Sequence, residues 1–211
     1  MISYRIVQTC CVLLALITSG CISFRGGSET THTYQLTLEG GLRDVPAADG
    51  NSPVIQLNPP QAEPGFETTR MVYLKRPYEL EYFAANQWAD TPANMFAPLL
   101  ARSLSQSAVW RDVVLLPSLV PGDYRLDIYG FALQQEFLQS PSQVRVTAHA
   151  QLVDLKQAII MGMQRFETIE SAPSENAYGG VVAANRAVAV LLDQITAWLR
   201  DCVRHSSTCR R

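Results

Sequence analysis

The stretch "QVRVTAHAQLV" (143–153) decides the fold. Val144, Val146, Ala148, Ala150 and Leu152 alternate with Gln143, Arg145, Thr147, His149 and Gln151. A strand has a side-chain period of two, so the first set lines a dry face and the second a wet one. Such alternation marks an antiparallel strand in a sheet covered on one side. "DYRLDIYGFALQQEF" (123–137) alternates similarly, with Leu126 and Ile128 against Arg125 and Asp127, and "QAIIMGMQRFETI" (157–169) supplies a third strand. Turns at "QSPS" and near "DLKQ" complete a meander.

The dry face needs a cover. "SAPSENAYGG" (171–180) reads as a loop, and a long helix is predicted from about Val181 to Cys202. Val181, Ala184, Val188, Leu191, Leu192, Ile195, Trp198 and Leu199 recur at helical spacing and form one stripe.

Upstream, "TYQLTL" (33–38) and "PVIQL" (53–57) read as short strands, separated by a loop rich in Gly, Asp and Pro, and "NPPQAEPGFE" (58–67) is a further loop. "RMVYLKRPYELEYFAANQWAD" (70–90) predicts two strands turned at "KRP", the second continuing into Trp88. Thr91 followed by Pro92 opens a helix to about Ser107, an N-cap hydroxyl before a proline whose fixed φ suits the first turn. Its stripe is Phe96, Leu99, Leu100 and Leu104, and Pro98 is expected to bend it. "DVVLLP" (112–117) reads as a buried strand. The expected fold class is α+β: a single domain with a mixed, mostly antiparallel sheet covered by two main helices.

The N-terminus reads differently. Ile6 to Ile17 is nearly all apolar and follows a start whose only side-chain charge is Arg5, a signal-peptide profile. At about a dozen residues it falls short of the ~20 that span a bilayer. In "LLALITSGCISF" (13–24), Ser19 and Gly20 directly precede Cys21, and the segment resembles a bacterial lipoprotein lipobox, with Thr18 where that pattern usually has Leu. The resemblance implies cleavage ahead of Cys21, whose diacylglyceryl and N-acyl chains would hold the protein stably to a membrane. Residues 1–20 are then the signal peptide, 21–32 ("CISFRGGSETTH") a lipidated tether and 33–211 the domain. Ile22, in place of the Asp that resembles an inner-membrane retention signal, implies the outer membrane, facing the periplasm.

Removing residues 1–20 takes away Arg5 and no acid, leaving 16 Lys+Arg against 19 Asp+Glu, a net charge of −3. Nothing in this balance attracts nucleic acid. Of the five cysteines, Cys10 and Cys11 leave with the signal and Cys21 carries lipid. Cys202 and Cys209 remain, either a disulfide closing a small loop in an oxidising compartment or two separate thiols. With His205 they match no zinc spacing.

No nucleophile elbow, phosphate loop, dinucleotide fingerprint or HExxH sequence is present. His149 on the wet face would be a solvent-facing base or an ordinary hydrated residue, and Glu79 with Glu81 a carboxylate pair or a hydrated edge. Tyr78, Tyr82, Phe83 and Trp88 would seat a partner or form core and rim; Tyr78, Tyr82, Trp88 and the 171–180 loop are the candidate partner surface.

The segments "TYQL" (33–36), "LEYFAANQWADTPANMFAPLLARSL" (80–104), "DYRLDIYGFALQQEF" (123–137) and "AANRAVAVLLDQITAWL" (183–199), taken in order behind a lipobox, resemble the ABC-type transport auxiliary lipoproteins that accompany MCE-domain lipid transporters. The resemblance implies an α+β fold, no catalytic residues and no cofactor. It implies as partners an MCE-domain protein with its ABC permease and ATPase, and as function docking that transporter to the outer membrane. The alternative is a lipid-binding or outer-membrane assembly lipoprotein unrelated to an ABC transporter. A small cell-wall hydrolase is the enzyme reading, and it requires converging titratable groups that the sequence does not offer.

Overall fold

The computed structural model describes residues 30–38, 49–205 and 209. The expected signal peptide, Cys21 and most of the tether lie outside them. Among the described residues, eight strands and two helices follow in the order β1 (His32–Tyr34), β2 (Val54–Leu57), β3 (Arg70–Leu74), β4 (Glu81–Trp88), α1 (Pro92–Ser105), β5 (Asp112–Leu115), β6 (Tyr124–Glu136), β7 (Gln143–Asp154), β8 (Ile159–Ser171) and α2 (Ala177–Arg204).

The predicted meander is the spine. β6 and β7 pair antiparallel from Tyr124↔Asp154 to Glu136↔Gln143, interrupted by a bulge between Tyr129 and Ala132, and β7 and β8 pair antiparallel along their length. The other edge of β6 forks. Its first half takes β2 in parallel, with β5 outside it, and its last residues take β3 in parallel, followed by antiparallel β4 and parallel β1. Between the forks the proline-rich loop supplies the ladder: Asn58 and Gln61 N–H donate to Leu126 and Ile128, and Glu63 N–H to Phe131. This α+β domain therefore has a mixed sheet whose longest pairings are antiparallel.

Both helices lie on one face. Val144, Val146, Ala148, Ala150 and Leu152 are buried against Ala184, Val188, Leu191, Leu192, Ile195 and Leu199 of α2, while Phe96, Leu100 and Leu104 of α1 join the same core, Phe96 with its ring 4.8 Å from Phe131. By length and composition alone α2 would cross a membrane, but its apolar stripe is occupied by the sheet.

Four expectations need correction. α2 begins at Ala177, inside the predicted loop, because the Asn176 side chain accepts from Gly179 N–H at 2.9 Å and caps it. The glycines there serve packing: a Cβ on Gly180 would stand 2.2 Å from the Gln135 amide oxygen. β5 is an edge strand, not a buried one, since among the described residues it pairs only with β2 and its residues are exposed or half-buried. β4 begins at Glu81, so Glu79 belongs to the preceding turn and the two carboxylates do not share a strand face. Trp88, named for a partner surface, is 1% exposed. As the last residue of β4 it turns into the core, lining a small gap with Met71 and Leu133, which excludes its ring from surface contact.

Cys202 and Cys209 are joined as a disulfide. The link brings Cys209 onto β8, where a Cβ on Gly162 would stand 2.1 Å from the Cys209 carbonyl oxygen. A glycine is required there because the Cys209 backbone packs directly against the strand.

Candidate functional site

The uncovered face of the meander is a salt-bridged polar surface. Arg145 lies between Glu136, which it meets through Nε at 2.7 Å, and Glu167, which also pairs with Arg165. Burial pushes the Glu136 carboxyl up, but hydrogen bonds from Arg145, Gln143 and Gln134 outweigh it and hold the group below the usual carboxylate range. The His149 ring stacks on Tyr129 at 5.2 Å, with Arg165 as its neighbour on β8. Glu81 accepts from the Tyr73 hydroxyl at 2.7 Å and sits 3.9 Å from Lys75, and Glu79 sits 3.3 Å from Arg76. These carboxylates are engaged with cations rather than with one another. Among the described residues no three His, Cys, Asp or Glu side chains gather as metal ligands.

A groove of about 470 Å³ runs between β1 and the first half of α2. One wall carries Thr33 and Tyr34 of β1 with Gln35 and Thr37 just after it, and the helix wall Tyr178, Val181, Val182, Asn185, Arg186 and Ala189. Among the described residues β1 pairs only with β4, so its outer backbone edge faces the groove. At one end Asn185 Oδ1 already accepts from Thr37 N–H at 2.6 Å, and at the other the Tyr34 and Tyr178 rings stand 6.4 Å apart. An open strand edge, an apolar floor, two phenols and an exposed guanidinium suit an extended polypeptide.

The remaining apolar surface is at turns. Tyr78 is fully exposed in the β3–β4 turn with φ 68°. Tyr82 is half-buried on β4, its ring under the Arg70 guanidinium at 3.9 Å. Tyr178 alone represents the predicted 171–180 segment in the groove. Tyr34, Asn185 and Arg186 went unselected because strand and helix periodicity accounted for each segment without asking which edges stay open.

Residues 34–196 match the family model of the ABC-type transport auxiliary lipoprotein component. The chain belongs to this family. As a family of auxiliary transport lipoproteins it implies attachment to a membrane and association with an ABC transporter. The fold is that of a protein from Xanthomonas campestris at 18% identity, covering 83% of this chain and 99% of that one with a TM-score of 0.72. A second solved structure, of an uncharacterised protein, aligns at 15% identity over 81% and 99% with a TM-score of 0.61. No curated protein matches the chain.

Proposed function

We propose that this auxiliary lipoprotein is the non-enzymatic, periplasm-facing docking component of an MCE-type lipid transporter, held to the outer membrane through acylated Cys21. Family membership over residues 34–196 carries the reading. The open β1 edge beside Tyr178 and Arg186 supports it as the place where an extended segment of the transporter adds to the sheet. Docking of this kind needs attachment and complementarity and no chemical step: the lipid fixes one end of the chain and the groove grips the other partner, raising the local concentration of each for the other. The reading needs no cofactor.

Replacing Tyr178 by a photocrosslinking amino acid in intact cells tests it. Crosslinks to an MCE-domain protein or its ABC permease are expected. Crosslinks confined to an unrelated outer-membrane assembly, with Cys21 acylated, contradict the docking role.

A further inference from the structure

The sheet has two ends, and the chain enters at one of them. β1 runs antiparallel to β6 and meets β4 at His32↔Asn86, so Thr31 approaches from the side where β6 ends at Glu136. The β3–β4 and β6–β7 turns lie at the same end, joined by Phe137 N–H donating to Leu74 at 2.8 Å. Both stand on an aromatic cluster, with the Tyr73 ring 4.6 Å from Phe83 and 5.9 Å from Phe137.

This end presents apolar groups to solvent. Tyr78, in the β3–β4 turn, is 102% exposed, and Leu138, in the β6–β7 turn, is also exposed. A tyrosine at φ 68° holds a sparsely populated conformation, a departure that costs on the order of 1 kcal/mol and persists where the surroundings or a function impose it. Lys75 and Arg76 precede it, both well exposed; Arg76 meets the exposed Glu79 at 3.3 Å and Lys75 the half-buried Glu81 at 3.9 Å, and surface pairs of this kind are weak.

We infer that the turns carrying Tyr78 and Leu138 rest on the lipid bilayer, with the ring at headgroup level and Lys75 and Arg76 toward lipid phosphates. The inference rests on the proposed acylation of Cys21. Ten residues, 22–31, separate that cysteine from β1, and they span at most about 35 Å in any conformation. β1 begins about three residues, or roughly 10 Å, from the Glu136 end of β6 and about 30 Å from the Tyr124 end. The Tyr78 end thus reaches the bilayer easily, whereas the opposite end, with Leu119 103% exposed and Ile160 also exposed, reaches it only with the connecting residues drawn out along the sheet. Interfacial tyrosine with neighbouring cations suits the headgroup layer.

The full chain, processed in its own envelope, is purified and reconstituted into phosphatidylethanolamine and phosphatidylglycerol vesicles. Single cysteines at Tyr78→Cys, Leu138→Cys and Leu119→Cys receive an environment-sensitive fluorophore, and lipids spin-labelled near the headgroup act as quencher. Several-fold stronger quenching at positions 78 and 138 than at 119 is expected, with an acylated N-terminus by intact mass. An acylated chain in which position 119 is quenched as strongly as 78, or in which 78 is unquenched, overturns the inference and leaves the anchor standing. A mature chain lacking acyl groups overturns both.

Discussion

Replacing Arg145 by Met leaves the Glu136 carboxylate, whose side chain is 5% exposed, without its cation. Removing one member of a buried pair costs about 3–5 kcal/mol, because the surviving charge stays desolvated. Gln134 and Gln143 still donate to Glu136 at 2.7 and 3.0 Å, which places the expected loss at the lower end, about 3 kcal/mol at pH 7. In the parent the folded-state carboxyl is held below its ordinary value of 4.5. Its contribution is therefore present above that value and lost as pH falls through the folded one. In Arg145→Met burial is opposed only by the two amides and the carboxyl moves up, so protonation relieves the variant while it weakens the parent. Urea unfolding at pH 7 and pH 4.5 is the assay, and the gap between the two proteins is smaller at the lower pH. A variant destabilised by under about 1 kcal/mol, the range of a surface pair, with a gap independent of pH, refutes the reasoning.

Alanine at both Cys202 and Cys209 opens a loop of sequence separation 7; the chain-entropy relation gives about 2.5 kcal/mol and a fall in Tm of about 5–10 °C, read by thermal unfolding. Gly162→Ala forces the Cys209 carbonyl off β8, and amide hydrogen exchange is expected to rise at β8 and at the C-terminal end of α2 while the disulfide stays closed. Asn176→Ala removes the α2 cap at Gly179 and is expected to lower stability by about 1 kcal/mol, measured by urea unfolding. Leu191→Ala, at a fully buried position on α2, is expected to lose about 3–5 kcal/mol in the same assay.

The meander and α2 were legible because their pattern has a physical cause in a sheet covered on one side: every dry residue of β7 is buried and every wet one reaches the polar face. Boundaries failed where tertiary contacts override local preference. "AYGG" reads as a loop by composition, yet Asn176 caps it and the Gln135 side chain requires the absence of a Cβ at Gly180. "DVVLLP" is apolar enough for a central strand, and only pairing shows that β5 has one neighbour. Trp88 was misread because a strand-end aromatic has the same sequence signature whether it faces core or solvent, and the face is set by register with Tyr34. The groove was invisible for a related reason: an open strand edge is a property of the assembled sheet and not of any segment in it.

The central claim, that this family member docks an ABC-type lipid transporter, is tested most directly by purifying the tagged full chain from membranes and measuring co-purifying proteins quantitatively. The account predicts an ABC ATPase, its permease and an MCE-domain protein in constant proportion to an acylated chain. An acylated chain recovered with none of them, and instead with bound lipid or a different outer-membrane assembly, contradicts it.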